Sequence, residues 1–379
     1  MIILIRLFFL IAIQLFTAQL FAAQPLGQKQ SLHQYLGDGT SSDSYLQVDK
    51  PRPLIFPTDH GPHPGFRHEW WYFSGNLESS EHNQFGYQLT FFRFALTPKP
   101  LSRDSKWASD SIFMAHLALT NVGQNSFNHE ERFSRPALGL AGAQAEPFCV
   151  WLNDWQVQMV GGTAQKPIWA IAAQTESFGL QLTLQSEKPI VLQGEEGYSR
   201  KNSGPGNASL YYSLPRLKTT GEITQNGKKE RVNGTSWLDR EWGSGVLDSG
   251  QAGWDWFAIH LDDGWDFMFY QLRKKDGTID QFSRGVLIDP RGVKTDISAT
   301  DIKIKTTASW SNYPAGWQLT IPAHNLMMTV TPLVADQEWK TSRVQYWEGA
   351  VKTAGQHGSK KITGRGYVEL TGYGPQEIK

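Results

Sequence analysis

Three observations predict an all-β chain folded as two similar β-barrels or sandwiches in tandem. Aromatic residues reach 12%, with 15 Trp among them, and 36 glycines punctuate the chain. That mixture suits strands joined by many turns and argues against a disordered or coiled-coil protein. Turn-bounded apolar runs follow one another closely, with no strong amphipathic helix longer than about three turns between them. A faint internal repeat also appears: Trp70-x-Tyr72-Phe73-x3-Leu77, followed by Tyr87-Gln88-Leu89, is echoed by Trp254-x-Trp256-Phe257-x3-Leu261, followed by Tyr270-Gln271-Leu272.

In chain order, residues 1–23 read as a secretory signal: Arg6, an apolar run from Leu7 to Phe21, then Ala22-Ala23. Leu20 or Phe21 at the −3 position is a poor match to the small-residue rule, which makes an uncleaved membrane anchor the alternative. The protein is therefore expected to be exported, periplasmic or extracellular, with export or transporter machinery and a nearby membrane as partners of this segment. Residues 24–47 are a polar linker. The single cysteine, Cys149, excludes an intramolecular disulfide and reads as a small buried apolar residue. Charge is balanced, 36 basic against 36 acidic residues, so nothing favours nucleic acid.

Gly and Pro exclude a helix through Gly65, and the aromatic run 70–73 then suits a strand. Strand character follows at 86–94, 112–121, 151–160, 168–173, 179–185, 209–213 and 221–224. It resumes at 282–288, 301–306, 317–321, 326–331, 345–353 and 366–371. Leu180, Leu182 and Leu184 alternate with Gln181, Thr183 and Gln185, a period of two with one wet face. The repeat divides the chain into domains at 48–220 and 221–379, with 218–234 and its Asn226-Gly227 turn as the junction. Barrels can hold an apolar ligand in the mouth or between modules, and the two signature segments make a shared cleft the expected site.

The chemistry concentrates between Gly234 and Leu272, where Trp237, Trp242, Trp254, Trp256 and Trp265 mix with Asp239, Arg240, Glu241, Asp255, His260, Asp262, Asp263 and Asp266. Acids among tryptophans point to a shielded site where a raised pKa is useful; a hairpin with one wet face is the plain alternative. Asp239 and Glu241 are two apart and share one face of a strand, with Arg240 and Trp242 on the other. Two such carboxyls can split their pKa values into an acid and a base, and Asp239 is the expected acid. Tryptophan faces suit a cationic transition state, or sugar stacking, or simple domain packing. Arg240 reads as an ion-pair partner of Glu69 or Glu241. No Gly-x-Ser-x-Gly occurs to support a serine hydrolase. His60, His63 and His68 with Glu69 lie in a Pro/Gly loop without ligand spacing, so turn-stabilising histidines are expected, and no metal or other cofactor.

Several long motifs resemble the AttH/hydroxyneurosporene-synthase (carotenoid 1,2-hydratase) family, in its bacterial branch of predicted secreted hydrolases. They are His68-Glu69-Trp70-Trp71-Tyr72-Phe73-Ser74-Gly75, Phe85-Gly86-Tyr87-Gln88-Leu89-Thr90-Phe91-Phe92-Arg93, Met114-Ala115-His116-Leu117 and Trp237-Leu238-Asp239-Arg240-Glu241-Trp242. Gly253-Trp254-Asp255-Trp256-Phe257, Tyr346-Trp347-Glu348-Gly349 and Gly366-Tyr367-Val368-Glu369-Leu370 also fit. The resemblance spans residues 48 to 374 and implies two lipocalin-like domains with a pocket where they meet. It implies hydratase or isomerase chemistry on an apolar unsaturated, isoprenoid or lipid-like ligand; a lipid, isoprenoid or glycan carrier, or a secreted hydrolase, are the alternatives. The Asp-Arg-Glu-Trp segment and the export signal depart from the carotenoid hydratases. The candidate acids are Asp239, Glu241, Asp255 and Glu69. The candidate ligand contacts are His68, Trp70, Trp71, Tyr72, Arg93, His116, Trp237, Trp242, Trp254 and Trp256.

Overall fold

A computed structural model describes residues 44–99, 105–245, 247–341 and 344–373, together with the short strand Gln30–Ser31, which pairs with Val344 and Gln345. The expected signal at 1–23 and most of the linker at 24–47 lie outside the described residues. The chain forms two curled antiparallel sheets with the same wiring. In the first, His68–Ser79 pairs on one side with Gln84–Ala95 and on the other with Lys228–Gly243, the last strand of that sheet. Ser111–Asn121 and Ser126–Ser134 extend it one way; Ala208–Gln225, Phe178–Ser186, Pro167–Gln174, Trp155–Gly162, Phe148–Leu152 and Ala141–Ala145 extend it the other.

The second sheet repeats the plan. Gln251–Leu261 pairs with Asp266–Lys274 and with the final strand Lys360–Leu370; Arg284–Ile288 and Lys294–Ser298 lie beyond the first, Val344–His357, Leu326–Pro332, Tyr313–Ile321 and Lys303–Trp310 beyond the second. Pairing first strand against last curls each sheet into a nearly closed, lipocalin-like barrel. In the first barrel Arg132 spans the remaining gap. Its guanidinium bonds Asp154 and the Gln174 carbonyl, 4.1 Å from the Trp155 ring centroid.

The sequence repeat thus extends to two whole barrels, although its Tyr-Gln-Leu halves are out of register. Tyr87 stands opposite Gly75, whereas Tyr270 stands opposite Trp256. The division expected at 220/221 needs correction, because it falls inside the strand Ala208–Gln225. Asn226 and Gly227, at φ of 50° and 78°, make a two-residue hairpin turn whose twist matches the flanking strands, so the chain returns to the same sheet. From His68 onward, among the described residues, sheet membership changes between Gly243 and Gln251. The strand expected at 151–160 is split at Asn153, φ 55°, and the runs 209–213 and 221–224 are one strand with a bulge between Leu214 and Leu217. Cys149 is half-buried on a strand near the sheet edge, not deep in the core.

Alternation sorts the side chains. Trp71, Phe73 and Leu77, Tyr87, Leu89 and Phe91, and Leu238 fill the first barrel. Phe257, Ile259 and Leu261, Phe267 and Phe269, Trp347, Val368 and Leu370 fill the second. The intervening residues of the same strands point outward, where strands of a lone barrel would meet water. Here the outer faces pack on each other: Tyr72, Tyr211 and Trp237 meet Trp256, Ala258, Met268, Tyr270, Ala350 and Tyr367. Backbone approach is close enough that a Cβ on Gly86 would stand 2.4 Å from the Ala350 Cβ. Asn76 donates to the Gly366 carbonyl at 2.9 Å, and Thr120 to Gln337 at 2.7 Å. Asp266 of the second barrel is held by Lys188 and Arg216 of the first at 2.7 and 2.6 Å.

One ionic cluster ties the loop before His68 to the first barrel. Glu69, fully buried, pairs with Arg93 and Arg240 and accepts from the His63 backbone N–H at 3.0 Å. Arg93 also donates to the carbonyls of His63 and Phe66. Burial alone would raise the Glu69 pKa, but the two guanidiniums override it and hold the carboxyl well below the usual range. A depressed carboxyl pKa contributes stability above the unfolded-state value, lost as pH falls toward the folded one. Arg240→Met removes one cation from a buried carboxylate and is expected to lower the unfolding free energy by about 3–5 kcal/mol at pH 7. The deficit should narrow in acid, as measured by denaturant titration at pH 7 and pH 3; an equal deficit at both would contradict this account.

Candidate functional site

At one end of the barrel interface a cavity of about 130 Å³ opens between the outer faces. Trp70, Tyr72 and Phe92 form one wall, and Trp254, Trp256 and Tyr270 the facing wall. Three carboxyls, Asp239, Glu241 and Glu369, reach it.

The strand Lys228–Gly243 supplies the first two. Trp237, Asp239 and Glu241 project toward the second barrel, while Leu238, Arg240 and Trp242 turn into the first, as their spacing requires. Asp239 is 3% exposed and accepts three hydrogen bonds: from Tyr211 Oη at 2.6 Å, from Trp237 Nε1 at 2.7 Å and from Ser213 Oγ. Burial pushes its carboxyl up to about 7; those donors pull the other way and the Glu241 charge adds to the rise. Glu241 instead has a cation, Lys201 Nζ at 2.9 Å, and the Ser209 hydroxyl. Burial opposes the Lys201 charge, but Glu241 and Tyr270 raise its pKa overall, so Lys201 stays charged at neutral pH.

Glu369 comes from the last strand of the second barrel and accepts Trp254 Nε1 at 2.9 Å. Burial lifts its carboxyl to about 8; the indole bond pulls it back and the Asp239 and Glu241 charges add to the rise. Directly across the sheet, Glu348 pairs in register with Glu369. Burial and the Glu369 charge hold Glu348 well above the usual carboxylate range, against the Tyr72 and Tyr346 hydroxyls. His68 is kept neutral, its pKa pushed down to about 3 by burial and then by the Arg67 and Arg93 charges.

The structure brings together His68, Trp70, Tyr72, Asp239, Glu241, Trp254 and Trp256 at the cavity. Trp237 lies behind Asp239 as its donor. Other expected site residues are elsewhere. Glu69, Trp71, Arg93 and Trp242 face the interior of the first barrel, one residue out of phase with the cavity wall, and serve the ionic cluster. Asp255 faces the interior of the second barrel, bonded to Arg273 at 2.9 Å and Tyr373 at 3.1 Å. His116 lies in a separate contact patch between the barrels, bonded to Tyr346 Oη at 2.7 Å and Glu131 at 3.1 Å and stacked on Trp339. His60 bonds Tyr212 and the Ala164 carbonyl, and His63 bonds Asp59 and stacks on Trp242, so the loop histidines diverge.

Sequence reasoning missed Lys201, Tyr211 and Tyr270 and, above all, Glu369 with Glu348. The available signal was a lone acid in each of two otherwise apolar strands, Tyr346-Trp347-Glu348-Gly349-Ala350 and Gly366-Tyr367-Val368-Glu369-Leu370. Only the pairing register shows that the two acids face one another.

Comparison with known proteins agrees with this architecture. The AttH-like family profile matches residues 47–373. Over 212 residues the chain is 29% identical to kievitone hydratase of Fusarium solani subsp. phaseoli, a match covering 52% of this chain and 58% of that protein. The chain thus spans little more than half the length of this relative. The crystal structure of a protein assigned as AttH from Nitrosomonas europaea has a TM-score of 0.76 at 35% identity, covering 86% of this chain and 100% of that one. The crystal structure of kievitone hydratase from Nectria haematococca has a TM-score of 0.64 at 15% identity over 87% of this chain and 96% of that one, a likeness of fold. With a profile match running from before the first barrel strand to beyond the last, and a solved relative covered end to end, this chain belongs to the AttH-like family.

Proposed function

We propose that this protein is a hydratase-type enzyme that adds water across a carbon–carbon double bond of an apolar ligand held between the barrels. The observation that carries the reading is Asp239. It is a buried carboxyl without a cationic partner, set in the wall of an aromatic cavity and shifted to about 7, where a proton can be exchanged near neutral pH. Hydration needs one proton delivered to carbon and one removed from water, and the cavity holds more than one carboxyl for that work. The rings of Trp70, Trp254 and Trp256 suit both an apolar ligand and the cationic character that develops when its double bond is protonated. The kievitone hydratase relative supports the same reaction class. The apolar N-terminal run supports export, so the ligand would be met outside the cytoplasm.

Kievitone and a panel of isoprenoid alkenes serve as first probes, with product gaining the mass of one water. Asp239→Asn is expected to keep the fold and the affinity while lowering turnover about 100-fold or more. Its amide cannot accept all three donors, so stability should fall by about 1–3 kcal/mol. Equal turnover in Asp239→Asn and the parent, or bound probe with no conversion by either, would favour a carrier. Trp254→Ala removes a cavity wall and should weaken binding and turnover together, with about 2–3 kcal/mol of apolar burial at stake. Calorimetric binding beside steady-state rates separates the two patterns.

A further inference from the structure

We propose that Glu369, backed by Glu348, is the acid that protonates the ligand, and that Asp239 is the base that takes the proton from water. This rests on the hydratase reading and reverses the role that sequence spacing suggests for Asp239.

The direction of the hydrogen bonds around Asp239 argues for a carboxylate. Trp237 Nε1 can only donate. The Gln193 amide N–H donates to Ser213 Oγ at 2.8 Å, which leaves the Ser213 proton for Asp239. Trp256 Nε1 points at Tyr211 Oη at 3.4 Å, which leaves the phenolic proton for Asp239 as well. Three donors thus converge on a group that has nothing to donate to, and Oδ2, with only Tyr211 upon it, retains room for water.

The Glu348–Glu369 pair has the opposite surroundings. In-register neighbours on one face of adjacent strands have their Cβ atoms about 5 Å apart. Among the described residues neither carboxyl has an ion-pair partner, and Glu348 Oε1 meets no donor. Two carboxylates at that separation, Glu348 buried and Glu369 half-buried at the cavity wall, do not both ionise, so the pair keeps a proton. Trp254 occupies Glu369 Oε1 as a donor, which assigns the proton to Oε2. The surroundings reinforce this: Lys201 is committed to Glu241, and His68 is neutral. The Tyr72 hydroxyl, at the same cavity wall, faces Glu348.

The step balances without a co-reactant. The Glu369 O–H bond breaks as a C–H bond forms; water oxygen bonds to the neighbouring carbon and its proton passes to Asp239. The proton returns to Glu369 through water in the open cavity.

Infrared spectra of the ligand-free full chain test the assignment. The parent should show a neutral carboxyl stretch at pH 7 that is lost as pH rises through about 8. Glu369→Gln should abolish the component lost near pH 8 while the neutral Glu348 stretch persists to higher pH, and Glu348→Gln should remove that more alkaline stretch. Asp239→Asn should leave the component in place. A component that disappears in Asp239→Asn and survives Glu369→Gln would overturn the proposal. With a converted probe, Glu369→Gln should lower turnover about 100-fold and remove the alkaline limb of the pH profile, whereas Asp239→Asn removes the acid limb. Conversion by Glu369→Gln at the parent rate overturns this proposal alone; no conversion of any probe by the parent overturns the hydratase reading and the catalytic role together, and the spectra still decide where the proton resides.

Discussion

Everything in this molecule follows from two barrels being joined through their outer faces. An ordinary barrel wall has one dry side and one wet side, and its sequence shows it as clean alternation. Here the strands at the junction are dry on both sides. His68–Ser79 and Gln84–Ala95 are buried along nearly their whole length. The odd-numbered residues of these strands fill a barrel, and the even-numbered ones are spent on the other barrel. That double demand accounts for the density of Trp and Tyr, and for Gly86, which lets two sheets approach until backbone meets side chain.

The same arrangement governs the carboxylates. Those facing barrel interiors, Glu69 and Asp255, are neutralised by arginines. Asp266, at the closed end of the interface, is gripped by Lys188 and Arg216. Glu241 has Lys201. Among the described residues Asp239 and Glu348, both buried, and the half-buried Glu369 have no cation, and Asp239 and Glu369 lie where the interface opens. An unpaired buried acid destabilises the fold, so its persistence at a cavity is best understood through its chemistry. The two pairing schemes, ionic where strength is needed and proton-sharing where exchange is needed, divide structural from functional acids within one interface.

The cavity draws on both barrels, with more of its lining from the first. Asp239 with its donors Tyr211, Ser213 and Trp237 belongs to the first, Glu369 with Trp254 and Glu348 to the second. Trp256 of the second barrel reaches Tyr211 of the first and so couples the two halves of the site. Apolar side chains pack the interior of each barrel. The cavity between the barrels is completed by their docking, and relative movement of the barrels would alter the spacing of its acids.

Local composition and period were enough to establish an all-β chain, the duplicated aromatic hairpin and the split of Asp239 and Glu241 from Arg240 and Trp242, because strand alternation is a property of neighbouring residues. They also picked out most of the aromatic wall. They misplaced the boundary, since Asn226-Gly227 signals a tight turn without saying whether the strands it joins share a sheet. They set Glu69, Asp255, Trp71 and Trp242 in the site because richness in acids and rings is blind to which side of a doubly buried strand a side chain takes. They left out Glu348 and Glu369, whose partnership depends on the register between two strands and on the docking of one barrel against the other. Such long-range pairing fixes which buried acid meets an arginine and which meets another acid, and that contact, not the residue's type, decides where a proton can be held.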